Sequence, residues 1–388
     1  MNPIFKAFRR FFVSLQLTVV LLALSGLLVF AATWAQVDLG VAAVQEKFFR
    51  SFVAVWHAGP LYVPLPGGYL LGGLLLINLL AAHLYRFKLS GRKSGIFLTH
   101  LGLILLLLGE LFTGLFQRDY FMRMSPGKTR NYAESDRCNE FVIIETTDPK
   151  TDSVVAIPEA ILAEKREIQH PRLPFRVAVR EYYANASLGL RSSLPAGANV
   201  PSPATAGVGP KLIVEPAPLT SKQDERNLPA AYIELIGASG SLGTWAVSTQ
   251  LAASQTFEYA GRTFRLGLRF ERRYEPYSLT LLKVEHDVYP GTDIPKNFSS
   301  RVRINPATGR DAREVLIYMN NPLRYGGLTF YQYQMDAEHD NSVLQVVRNP
   351  SWLIPYISCA RIVLGLVVQF GLHLFGFVNS RRAAPATP

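Results

Sequence analysis

The chain has 388 residues, 49% of them hydrophobic, and a net charge of +11. The apolar residues gather into long runs, which excludes an ordinary soluble protein. The basic excess lies in short segments beside those runs, so it carries topology; it also excludes a nucleic-acid partner, which would need a basic face on a soluble domain.

In chain order, residues 1–12 form a basic arm with Lys6, Arg9 and Arg10. The run at about 13–36 exceeds the ~20 apolar residues that span a bilayer as a helix. It is too long for the apolar centre of a signal peptide and further runs follow it, so it reads as a retained anchor. The loop 37–67 balances Asp38 and Glu46 against Lys47 and Arg50. A second span is expected at 68–86 and a third at 96–117. The linker 87–95 lies between them, and this stretch contributes Arg86, Lys88, Arg92 and Lys93 with no acidic residue. Residues 118–351 have ordinary polar composition, with 28 basic and 26 acidic side chains. A fourth span is expected at 352–378, followed by the tail 379–388 with Arg381 and Arg382. The positive-inside rule then puts both termini and the linker in the cytoplasm, and the 37–67 loop and the large domain on the opposite side.

The segment 118–351 reads as mainly β. NEFVIIETT (139–147), FRVAVREYY (175–183), AAYIELIG (230–237) and YSLTLLKVEHDVY (277–289) are rich in β-branched and aromatic residues, and turn residues separate them. A β-sandwich or open barrel in two lobes is the natural form. No hydrolase, P-loop or dinucleotide motif is present. Cys138 and Cys359 belong to no CxxC pair, which speaks against thiol–disulfide catalysis by this chain. The fold class expected is a membrane protein with four transmembrane α-helices and a large extracytoplasmic, mainly-β domain.

Three stretches are distinctive: VEHDVYPGTDIPKNFSSRVRI (284–304), VLIYMNNPLRYGGLTFYQYQM (315–335) and NPSWLIPYISCARIVLGLVVQF (349–370). Their pattern, with three early spans and one late one, resembles the ResB-like cytochrome c biogenesis family. That resemblance implies the smaller half of the system II machinery, in which haem is exported across the inner membrane and joined to apocytochrome c. It implies a ResC/CcsA-type membrane haem-handling partner and apocytochrome c as a further partner, with a thioredoxin-like thiol reductant as another candidate. It implies at most a non-catalytic subunit of a haem lyase complex. The partner family carries a tryptophan-rich haem-holding segment, whereas Trp34, Trp56, Trp245 and Trp352 are isolated here. Apart from any family, YPGT and NPLRYGG are turn chemistry set between apolar strands, and a folding signature is the plainer reading of them.

Three of the seven histidines fall inside expected spans. At a rise of ~1.5 Å per residue, His83 lies about 5 Å inside Arg86, His100 about 10 Å inside Lys93 and His373 about 12 Å inside Arg381. Ionisable groups inside a membrane are costly and mark functional sites by default. Neutral imidazole is an axial ligand for haem iron. His83 and His100, with His373 behind them, are therefore the candidates to hold a transient b-type haem, and Arg86 and Lys88 the candidates to pair with its propionates. The competing reading is that these rings pack helices or snorkel to the headgroups, in a structural assembly factor that binds no haem. Glu110 and Arg361 fall at similar depth, about 10 and 13 Å from the outer side. They suggest an intramembrane ion pair, or two contacts to a missing partner.

Overall fold

The described residues of the computed structural model are 3–58, 61–86, 90–193, 200–220, 226–251, 254–291, 295–307, 309, 311–336 and 341–383. They contain six α-helices: α1 Pro3–Phe12, α2 Leu15–Val44, α3 Gly68–Tyr85, α4 Ser94–Phe116, α5 Glu159–Ala163 and α6 Ile354–Ala383. Two units separate, one of residues 1–118 and 348–388, the other of residues 119–220 and 224–347.

Four helical segments of the first unit are long and apolar enough to cross a membrane: Leu15–Val41, Gly68–Tyr85, Gly91–Phe116 and Ile354–Asn379. Many of their large side chains point outward, Val19, Leu22 and Phe30 among them, as a surface set against lipid or other membrane helices requires. The helices form an open row. α2 packs on α3, α3 on α4, and α4 on α6.

The arm before the first span is itself a helix. In α1, Lys6, Arg9 and Arg10 share one face while Phe8, Phe11 and Phe12 share the other, the pattern of a helix that lies along an interface. The chain breaks at Val13–Ser14 before α2 begins, and one buried side chain of α3 holds that break. Asn78, 3% exposed, donates from Nδ2 to the carbonyls of Phe12 at 2.7 Å and Ser14 at 3.2 Å, and its Oδ1 accepts from the Thr18 hydroxyl at 2.7 Å. Three such bonds at ~0.6 kcal/mol each within a membrane amount to about 2 kcal/mol. Asn78→Leu is therefore expected to lower the unfolding temperature of the helical unit in detergent, followed by circular dichroism; an unchanged transition would refute the role of this anchor.

Further along α2, Gly40 adopts φ 77°, a conformation that favours glycine, and the helix turns there. Beyond it the hairpin Val53–Ala58 with Leu61–Pro66 packs Ala54 and Leu65 against Leu28, Ala31, Ala32 and Leu71.

The seam between α4 and α6 is built on glycine. Gly95, Gly102 and Gly109 recur every seven residues on one face of α4 and are all buried. Side chains there would collide with α6: a Cβ at Gly102 would lie 2.6 Å from Ile362, and one at Gly95 would lie 2.5 Å from the Gly365 carbonyl. Small residues let two backbones approach where lipid offers no hydrophobic drive.

The second unit is mainly β and has two cores. In one, the sheet of Gly240–Ser248, Ala230–Gly237, Arg176–Tyr183 and Glu167–Ile168 packs on strands Thr129–Glu145, Ser153–Pro158 and Arg262–Val288. Phe141, Ile143, Val177, Ile233, Phe264 and Leu266 fill the space between them. The alternate residues of the strand pair carry charge on the opposite face, with Arg269 against Glu140 at 2.8 Å and Arg272 against Glu134 at 2.9 Å. In the other core the same long strands continue into Pro295–Pro306, Arg313–Tyr318, Leu323–Tyr325, Leu328–Asp336 and Asn341–Arg348. The first and last strands of that row, Arg313–Tyr318 and Leu323–Tyr325, lie against one another, so this lobe curls toward a barrel. The distinctive NPLRYGGLTF stretch folds here. Gly326 and Gly327, at φ 58° and 77°, make a two-residue hairpin turn, and Leu323, Leu328 and Phe330 enter the core. The architecture is a membrane protein of four spanning helices and a large, two-lobed, mainly-β domain.

Candidate functional site

His83 lies in the last turn of α3 and His100 near the start of α4, on two helices that pack together. The His83 ring rests on Phe97, centroids 4.2 Å apart, and Phe97 is one helical turn before His100. His100 Nδ1 lies 2.8 Å from the Ile96 carbonyl oxygen. A carbonyl only accepts, so Nδ1 carries a proton, and in the neutral tautomer the lone pair is then at Nε2. This is the tautomer a metal ligand needs, with the second nitrogen tied to a carbonyl that fixes the plane of the ring.

Cations collect at the same end of the helices. Arg86 caps α3 through its backbone N–H on Ala82 and exposes its side chain. Arg92 and Lys93 occupy a single exposed turn, Gly91–Lys93, just before α4. Lys88 lies outside the described residues. Helix α1 adds one cation to this end: the Arg9 guanidinium lies over the Tyr85 ring, 5.6 Å from its centroid.

His373 is engaged elsewhere. The Ile96 N–H donates to Gln369 Oε1 at 3.2 Å, which assigns the other end of that amide as the donor. Gln369 Nε2 then donates to His373 Nε2 at 2.8 Å. The lone pair of His373 is thus taken up by a residue that ties α6 to the start of α4. Gln369 and the seven-residue glycine repeat were missed in the sequence. The repeat was readable there; the role of Gln369 needed the pairing of α4 with α6.

The expected Glu110–Arg361 pair does not form. Among the described residues neither side chain has an ion-pair or hydrogen-bond partner. Depth matched and azimuth did not. Glu110 follows Gly109, which faces Ile354 on the seam, and Arg361 precedes Ile362, which faces Gly102. At 100° per residue on antiparallel helices, each lies off the seam on opposite flanks.

In the β domain Cys138 is a free thiol at the surface. Partial burial, with Glu271, Glu159 and Asp136 close by, pushes its thiol up and disfavours the thiolate, though a hydrogen bond with Ser135 acts the other way.

The model of the ResB-like family matches residues 81–342, a stretch that begins just before His83 and includes both α4 and the distinctive β-domain segments. The chain is also similar to protein NrfI of Wolinella succinogenes, at 23% identity over 366 residues. That match covers 92% of this chain and 34% of NrfI, so the chain spans about a third of its relative's length. With four helices long and apolar enough to span a membrane, a two-lobed β domain and a family match over more than half its length, this chain belongs to the ResB-like family.

Proposed function

We propose that the chain is a haem-handling membrane subunit of cytochrome c synthesis, with haem as its cargo. His83 and His100 hold the iron between α3 and α4, and Arg86, Arg92 and Lys93, joined by Arg9, pair with the propionates. The observation that carries this reading is the His100 ring, whose Nδ1–H on the Ile96 carbonyl fixes Nε2 as the lone-pair nitrogen of the neutral tautomer, the form that ligates a metal. Neutral imidazoles suit a membrane interior because they add no charge to desolvate.

Charge placement supports an orientation with both termini and the 87–95 linker on the cytoplasmic side of the inner membrane, and with the β domain outside. Haem is then received near the inner leaflet, where the cations meet its carboxylates, and passed to a ResC/CcsA-type partner that completes export and attachment to apocytochrome c. The β domain holds that partner or the apocytochrome, and the chain supplies no catalytic group of its own. A second reading, an assembly factor without haem, is favoured by the packing of His83 on Phe97, which is also what a purely structural ring would do. The visible spectrum of the purified chain and of its histidine variants separates the two.

A further inference from the structure

Four observations meet on the pair α4 and α6. The helices form an open row, so α6 packs on α4 and leaves Leu364, Val367 and Phe370 exposed. Glu110 sits on α4 between Gly109, which faces Ile354 of α6, and Gly114, which faces Tyr69 of α3. Leu103, seven residues earlier and so on the same stripe, is exposed. Arg361 sits on the other flank of the seam, one turn before exposed Leu364.

Both charges are inside the spanning segments, Glu110 about 9 Å below the end of α4 at Phe116 and Arg361 about 10 Å below the start of α6 at Ile354. Among the described residues neither has a partner in this chain. A charge at such depth belongs against protein or water, and facing lipid is the costly arrangement. The two are opposite in sign and on opposite flanks, so neither can satisfy the other, and a single partner charge cannot satisfy both.

We propose that these flanks are docking faces for membrane helices of the partner subunit, one presenting a basic side chain to Glu110 and one presenting a carboxylate to Arg361. The inference rests on the reading above that a membrane partner exists.

The test places a photo-crosslinking benzoyl-phenylalanine at Leu103 and, separately, at Leu364 of the full-length chain in native membranes. Adducts are identified by mass spectrometry. The expected adduct at Leu103 is a membrane-spanning peptide of another polypeptide with Lys or Arg at the matching depth; at Leu364 it is one with Asp or Glu. Glu110→Lys should reduce the Leu103 adduct at least tenfold, and reversing the partner's basic residue to Glu should restore it. Adducts only to lipid or to a second copy of this chain overturn the proposal, and so does an unchanged Leu103 adduct in Glu110→Lys. The crosslinker in the otherwise native chain reads the neighbour directly, so misfolding of the charge variant leaves a decisive result. The haem content of the same membranes reports separately: colourless protein with partner adducts overturns the haem site alone, and coloured protein with lipid adducts overturns the docking faces alone.

Discussion

Purified His83→Ala and His100→Ala chains are expected to carry at most about a tenth of the haem of the native chain, read as Soret absorbance per polypeptide. Disturbing even the outer partners of a metal ligand typically costs 10–100-fold in affinity, and removing the ligand itself should cost at least as much. His373→Ala is the informative control. Its Nε2 accepts from Gln369, and Gln369 in turn accepts from the Ile96 N–H. Losing that ring should loosen the seam and leave the spectrum in place. Equal loss of haem in all three variants would make the histidines packing residues whose removal disturbs the helices, and would favour the scaffold reading. Full retention in His83→Ala and His100→Ala would remove the site altogether.

Gly365→Leu is expected to prevent stable assembly of α6 with α4. A Cβ at that position would lie 2.5 Å from Thr99 Oγ1, 2.7 Å from the Thr99 nitrogen and 2.8 Å from the Gly95 carbonyl. Two of those three atoms are backbone, so the helices must separate, and the hydrogen bond from Ile96 to Gln369 goes with the separation. Overpacking of this kind costs ~1–3 kcal/mol, and more where nothing can yield. The protein should disappear from the membrane fraction, or survive there with a sharply lowered transition in detergent. Gly371→Leu, on the same helix with no atom within 4 Å of its Cβ, should change stability by about 0.5 kcal/mol or less. If the two variants accumulate equally, the glycine seam is not what joins these helices.

The fold class was legible in the sequence because each of its parts has its own periodicity. Spans of ~20 apolar residues and alternating β strands need only local information. The turn chemistry of NPLRYGG also folded as read, since two adjacent glycines at positive φ define a hairpin without help from the rest of the chain. The site was legible in depth and not in azimuth. Counting residues placed the candidate ligands His83 and His100 near one end of their helices, and α3 packs on α4. The same count made Glu110 and Arg361 look like partners and His373 like a third ligand. Which face a residue presents depends on which helices pair, and the pairing of α4 with α6 is set by Gly95, Gly102, Gly109 and Gly365, whose meaning appears only when the two helices are seen together. Asn78 was passed over for a related reason. A lone amide in an apolar run gives no hint that its partners are the carbonyls of Phe12 and Ser14 in another segment.

The most direct test of the account is the reduction potential and ligand-field spectrum of haem bound to His100→Met. Replacing one imidazole ligand by a thioether raises the potential of a haem iron. If His100 Nε2 ligates, the variant keeps its haem, its spectrum shifts to that of a histidine–methionine centre and its potential rises above that of the native chain. A variant whose bound haem keeps the native spectrum and potential would show that the iron is held elsewhere.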